Sequence, residues 1–88
     1  MPYDLQLSPA ADRDIKRLDE KTRQTVRNTL VALTTDPRPS GCRKLVGWER
    51  RYRVRVGRWR IIYDVLQSEN ALVVQRIVLR SETTYRRL

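Results

Sequence analysis

Tyr52-Arg53-Val54-Arg55-Val56-Gly57-Arg58-Trp59-Arg60-Ile61-Ile62-Tyr63 decides the reading of this 88-residue chain. Side chains along a β-strand point alternately to opposite faces. In Tyr52 to Val56 that alternation sends Val54 and Val56 one way and Arg53 and Arg55 the other. Ile61-Ile62-Tyr63-Asp64-Val65-Leu66 is rich in β-branched and aromatic residues and reads as the partner strand of a hairpin. A two-residue turn at Arg58-Trp59 sets Gly57 opposite Arg60, Val56 opposite Ile61 and Val54 opposite Tyr63. The other face then carries Arg55 with Ile62, Arg53 with Asp64, and Arg60. A slip by one residue would mix apolar and charged side chains on both faces, so the pattern selects against it.

Outward from the hairpin, the second half stays strand-like. Lys44-Leu45-Val46 reads as a short strand ahead of Gly47, Ser68-Glu69-Asn70 as a turn, and Ala71 to Leu79 as a long β-branched strand. The first half is different. Tyr3-Asp4-Leu5-Gln6-Leu7 alternates as a short strand, and Ser8-Pro9 places a good N-cap before a proline at the first helical position. Ala11, Ile15 and Leu18 share one helical face. Asp19 marks a second cap or break, after which Val26, Leu30 and Leu33 continue the spacing to about Thr34. Two amphipathic helices in a hairpin fit this, as does one kinked helix. Asp36-Pro37-Arg38-Pro39-Ser40-Gly41 is a loop, and Ser81 is placed to cap a short C-terminal helical turn. The expected fold is α+β: an N-terminal strand and helical hairpin packed on one face of a mostly antiparallel sheet, as one domain over residues 1–88.

The charge is the strongest compositional bias. Lys and Arg number 19 against 10 Asp and Glu, a net charge of +9, with 40% apolar residues to supply a core. Such a field attracts polyanions and acidic protein segments. Nine of the basic residues fall between Arg38 and Arg60, where Glu49 is the one acid. Arginine grips phosphate with a two-pronged fork and stacks on bases. A solvated basic surface, with Arg53 simply paired to Asp64, is the bland alternative. Three clustered arginines with one nearby acid repel one another, which favours an anion-binding face. Trp48, Trp59, Tyr52, Tyr63 and Tyr85 lie near this region, and aromatics among arginines can stack unpaired bases. Tyr52, Tyr63 and Trp48 also suit the core or its edge; Trp59, in a tight turn, is expected to be exposed.

There is no histidine, and Cys42 is the lone cysteine. This removes histidine-based acid–base pairs, an intrachain disulfide and the usual zinc ligand sets. No apolar run is long enough for a membrane span and the N-terminus lacks signal-peptide features, so a soluble, cytoplasmic protein without a membrane partner is expected.

The run from Lys44-Leu45 through Tyr52–Tyr63 resembles the central signature of the RelE/ParE toxins. Tyr3 to Leu18 is similar to their first strand and helix, and Arg80-Ser81-Glu82-Thr83-Thr84-Tyr85 to their C-terminal motif. The RelE-like resemblance implies a toxin of a toxin–antitoxin system that cuts messenger RNA in the ribosomal A site without a metal or other cofactor. It implies Arg53, Arg55, Arg60, Arg80 and Tyr85 as catalytic positions. Arg38, Arg43, Lys44, Arg50, Arg51, Arg58 and Trp59 would extend the contact with RNA and ribosome. Implied partners are an acidic, RelB-like antitoxin and, for the toxin–antitoxin complex, operator DNA. The chain departs from the pattern where some members carry lysines in place of Arg53 and Arg55, a histidine in place of Arg80, and a glycine in place of Leu79. A guanidinium effectively keeps its proton, so the resemblance names no general base. The ParE-like alternative poisons DNA gyrase without cutting RNA, and a non-enzymatic nucleic-acid-binding module is a third reading.

Overall fold

A computed structural model describes residues 2–80. Strand β1 (Asp4–Leu7) is followed by helices α1 (Pro9–Lys16) and α2 (Glu20–Thr35), then by β2 (Arg43–Lys44), β3 (Arg51–Val56), β4 (Trp59–Leu66), a 3-10 turn (Gln67–Glu69) and β5 (Ala71–Leu79). The five strands form one sheet in the order β1-β5-β4-β3-β2. β1 runs parallel to β5, and the other three pairings are antiparallel.

The helices start where capping chemistry dictates. The Ser8 hydroxyl accepts from the Ala11 N–H at 3.0 Å with Pro9 next in line. Asp19 accepts from the Thr22 N–H at 2.9 Å. That hydrogen bond holds the Asp19 carboxyl below its usual range. The two helices are separate, because Arg23 closes the end of α1. Its guanidinium donates to the carbonyls of Ile15, Lys16 and Leu18 at 3.2, 3.3 and 2.8 Å, satisfying acceptors a helix end leaves open.

Ala11, Ile15, Leu18, Val26, Leu30 and Leu33 pack from the helical layer onto Val54, Ile61, Tyr63, Val65, Leu72, Val74 and Ile77 of the sheet. Leu72, Val74 and Ile77 all face this core although Val74 and Ile77 are three apart. A bulge allows it: Ile62 pairs with Arg76 and Tyr63 with Val74, leaving Gln75 as the extra residue. Asp14 is the one charged group buried among the described residues, at 8% exposure. It accepts from the Ile77 N–H at 2.8 Å and from Arg76 Nε at 2.8 Å, tying α1 to β5.

Two expectations about the strands need correction. The hairpin turns at Gly57-Arg58, with Val56 opposite Trp59, Arg55 opposite Arg60, Val54 opposite Ile61 and Arg53 opposite Ile62. Gly57 has φ +58°, which suits the glycine-first position of a type II′ turn, whereas Arg58 in that position would be strained. The register differs from the expected one by two residues, so every side chain keeps its face. Second, the strand expected at Lys44–Val46 is Arg43–Lys44. The chain turns away afterwards, with Leu45 N–H donating to Arg51 at 2.9 Å and Trp48 N–H to Leu45 at 3.2 Å. The sheet face away from the helices has an apolar floor: Ile62 and Val78 lie on it at 0% and 2% exposure. The C-terminal helical turn expected from Ser81 lies outside the described residues. Among the described residues no helix is long and apolar enough to cross a membrane.

Candidate nucleic-acid interface

The face opposite the helices is built row by row from strand register. Residues directly across a ladder share a face. One row therefore runs Arg43, Arg53, Ile62, Arg76 across β2, β3, β4 and β5, and the next runs Arg55, Arg60, Val78. Val56 and Trp59 close a two-residue hairpin as a hydrogen-bonded pair, so Arg55 and Arg60 form the non-hydrogen-bonded pair behind it. In such pairs the side chains are closest, with Cα atoms about 4.5 Å apart. Two like charges directly opposite destabilise a sheet, and an anion between them removes that penalty.

Arg80 reaches the same region because its N–H donates to the Arg58 carbonyl at 2.8 Å. Arg58, Arg60, Leu79 and Arg80 line a cavity of about 460 Å³. Arg58 and Arg80 are exposed, and Arg60 is half-buried. Of the five expected catalytic residues, the structure thus brings Arg53, Arg55, Arg60 and Arg80 to one end of one face. Tyr85 lies outside the described residues.

Several other basic residues have structural partners. Arg51, and not Arg53, stands opposite Asp64. Its Nε and second nitrogen donate to the two carboxylate oxygens at 2.6 and 3.0 Å. Gln75 donates to the same carboxylate at 3.0 Å, and the Trp48 ring lies 4.1 Å from the Arg51 guanidinium carbon. This pairing follows from the two-residue register shift and withdraws Arg51 from the expected binding surface. Arg38 is withdrawn as well. It donates to the Tyr52 hydroxyl and to Gln67 Oε1, both at 3.1 Å, and the Tyr52 bond raises its pKa further. Tyr52 packs against the core on the helix side, its ring 6.1 Å from that of Tyr63. Lys44 pairs with Tyr52 and so points away from Arg43. Arg50 is exposed just before β3, its carbonyl accepting from Val65 N–H at 2.8 Å.

Trp59 is not the exposed turn aromatic expected from sequence. It begins β4, sits opposite Val56 and Leu79, and packs half-buried against the core. Tyr63 is fully buried and donates to the Pro37 carbonyl at 2.7 Å. Burial, then the neighbouring Cys42, pushes its phenol well above the usual tyrosine range.

Sequence reasoning missed the buried role of Asp14 and the placement of the Ser40-Gly41 loop beside β3. A signal for Asp14 existed: Ala11, Asp14, Ile15 and Leu18 follow the buried i, i+3, i+4, i+7 stripe, so an acid there must find a partner inside. Ser40 and Gly41 carried no such signal, since nothing local says that the loop folds back beside β3.

The chain matches the sequence model of the family described as ParE toxin of type II toxin–antitoxin system, parDE, over residues 5–84. The chain belongs to this toxin family. A Methanocaldococcus jannaschii protein named RelE1 is 26% identical over 83 residues, covering 91% of this chain and 92% of the relative. A variant of the Escherichia coli toxin RelE in the free state superposes with a TM-score of 0.85 at 20% identity, covering 99% of this chain and 93% of that one. The RelE–RelB complex from Pyrococcus horikoshii gives 0.82 at 20% identity, covering 94% and 100%. This member of the ParE toxin family therefore has the fold of the RelE structures.

Proposed function

We propose that this toxin is an endoribonuclease that cuts messenger RNA in the ribosomal A site, with the arginine face as its active site. The observation that carries the reading is the Arg55–Arg60 pair, set directly opposite each other with Arg53 on the same face. The reaction is attack of a ribose 2′-OH on the adjacent phosphorus. It forms a 2′,3′-cyclic phosphate and expels the 5′-oxygen of the next nucleotide; water takes the 2′-OH proton and returns one to the 5′-oxygen, which leaves as a 5′-OH. The pentavalent state gains negative charge. Fixed cations aimed at that charge are commonly worth a factor of about 10² to 10³ each.

Arg60 is assigned to the scissile phosphate, with Arg53 and Arg55 beside it and Arg80 on the side of the leaving oxygen. None of these guanidiniums gives up its proton at working pH. They stabilise charge and hold the strand in line, and Tyr85 is assigned to the 2′-OH. No cofactor enters the scheme. An acidic RelB-like antitoxin is the proposed neutralising partner, since a +9 chain suits an acidic segment that folds on binding; the toxin–antitoxin complex is the species proposed to bind operator DNA.

The test adds purified toxin to translating ribosomes and maps messenger 5′ ends by primer extension, with Arg60→Ala alongside. New ends within A-site codons, lost in the variant, are expected. The matching family model bears the ParE name, which favours a second reading in which the target is DNA gyrase. Intact messenger with arrested growth and blocked supercoiling would establish that reading instead, and the arginine face would then be a docking surface.

A further inference from the structure

A second cavity opens on the β2 side of the arginine face, about 360 Å³ in volume and lined by Ser40, Gly41, Arg43, Arg53, Val54 and Arg55. It exists because β2 is short. β2 pairs only Arg43 with Arg53 and Lys44 with Tyr52, whereas β3 continues to Val56. Just before β2 the chain bends at Gly41, with φ +92°, and Cys42 N–H is held by the Pro39 carbonyl at 3.1 Å. No described strand therefore lies beside β3 beyond Arg53, and the gap is walled by three guanidiniums, a serine hydroxyl and a glycine. Among the described residues no carboxylate lines it.

The cavity at Arg58, Arg60 and Arg80 also gathers three arginines among the described residues. Arg43 on β2 and Arg60 on β4 stand two strand spacings apart, about 10 Å. Phosphates one or two linkages apart in one strand span that distance. Guanidinium forks match phosphate geometry, and a gap of this size at a sheet edge admits one phosphodiester.

We propose that the cavity at Ser40, Gly41, Arg43, Arg53 and Arg55 is a second phosphate subsite, taking a phosphodiester that flanks the scissile one in the same single-stranded RNA, with Arg43 as its dedicated ligand. The proposal rests on the reading of the arginine face as an RNA site and adds to it a residue with no part in the chemistry. Arg43 sets how the strand lies across the sheet, and so acts on binding.

The experiment measures affinity for a short RNA made uncleavable by a 2′-deoxy sugar at the scissile position, as a function of salt, for wild type, Arg43→Ala and Arg43→Lys. Flanking phosphodiesters are replaced one at a time by neutral methylphosphonates. Loss of one charge-assisted contact should weaken Arg43→Ala by about tenfold and lower the log–log salt slope by about 0.7. Arg43→Lys should recover part of the affinity. One particular methylphosphonate should weaken wild type equally and leave Arg43→Ala unchanged. Arg43 is exposed, so the variants should melt with wild type, which checks the fold. Wild-type affinity in Arg43→Ala, or a loss that persists whichever linkage is neutral, overturns the subsite; the second result would place Arg43 in a diffuse basic field that holds no particular phosphate.

Ribosomal cleavage assayed in parallel separates the two readings. Cleavage without Arg43–linkage coupling removes the subsite alone. Coupling without cleavage supports the subsite and removes the nuclease. Failure of wild type both to bind the RNA and to cleave on the ribosome removes both.

Discussion

Replacing Arg55 by glutamine should stabilise the isolated toxin while lowering its activity. Arg55 is exposed and stands directly across from Arg60. With guanidiniums about 6 Å apart and water-like screening, Coulomb repulsion is about 0.7 kcal/mol. A Debye length of about 10 Å at 0.1 M salt reduces this to roughly 0.4 kcal/mol, and one of about 3 Å at 1 M leaves roughly 0.1. Glutamine keeps most of the stem and removes the charge. For a domain of this size the gain in dilute buffer corresponds to a rise in Tm of about 3–5 °C. Thermal melts of wild type and Arg55→Gln at 20 mM and 1 M salt measure it. The difference should shrink as salt rises, and inorganic phosphate should raise the wild-type Tm more than the variant's. An Arg55→Gln protein that melts at or below wild type in dilute buffer would refute the reasoning. So would a gain that ignores salt. Either result would mean that the pair is not frustrated and that no anion is needed to relieve it.

Two further predictions concern the scaffold. Asp14→Ala leaves the Ile77 N–H and the Arg76 guanidinium without their buried carboxylate; it should cost about 2–4 kcal/mol in urea unfolding, with Asp14→Asn losing less because an amide oxygen still accepts from Ile77. A cost under ~1 kcal/mol would show that the tie between α1 and β5 is dispensable. Tyr63→Phe should cost about 1 kcal/mol at neutral pH through the lost bond to Pro37. It should also flatten the alkaline limb. The folded phenol keeps its proton above the pH, near 10, at which the unfolded chain releases it. Stability from this group is therefore complete below pH 10 and falls as pH rises beyond it. Urea midpoints from pH 8 to 11 that fall equally in both proteins would assign the alkaline loss elsewhere.

Much of the candidate site was legible because strand parity is a property of the sequence. Arg53, Arg55 and Arg60 share a face in the expected register and in the observed one, since the two differ by an even step. Ser8-Pro9 and Asp19 likewise announced both helix starts, because a cap depends on atoms within three residues. What parity cannot see is a shift of two. The glycine at position 57 held the missing information: its positive φ favours the first position of the turn, and that choice selects the register.

The sequence by itself determined which stretches are helical and which are extended, which side of the long strands is apolar, and that arginines gather on the other side. These follow from local capping and from periods of two and 3.6 residues. Only the tertiary structure decided which arginines stay on the binding face. Asp64 takes Arg51 from 13 residues away and Asp14 takes Arg76 from 62 away, while Arg38 turns to Tyr52 and Trp59 turns to the core. The physical reason is that a charge becomes structural when a partner lies within hydrogen-bond reach, and reach between distant segments is fixed by strand order and register.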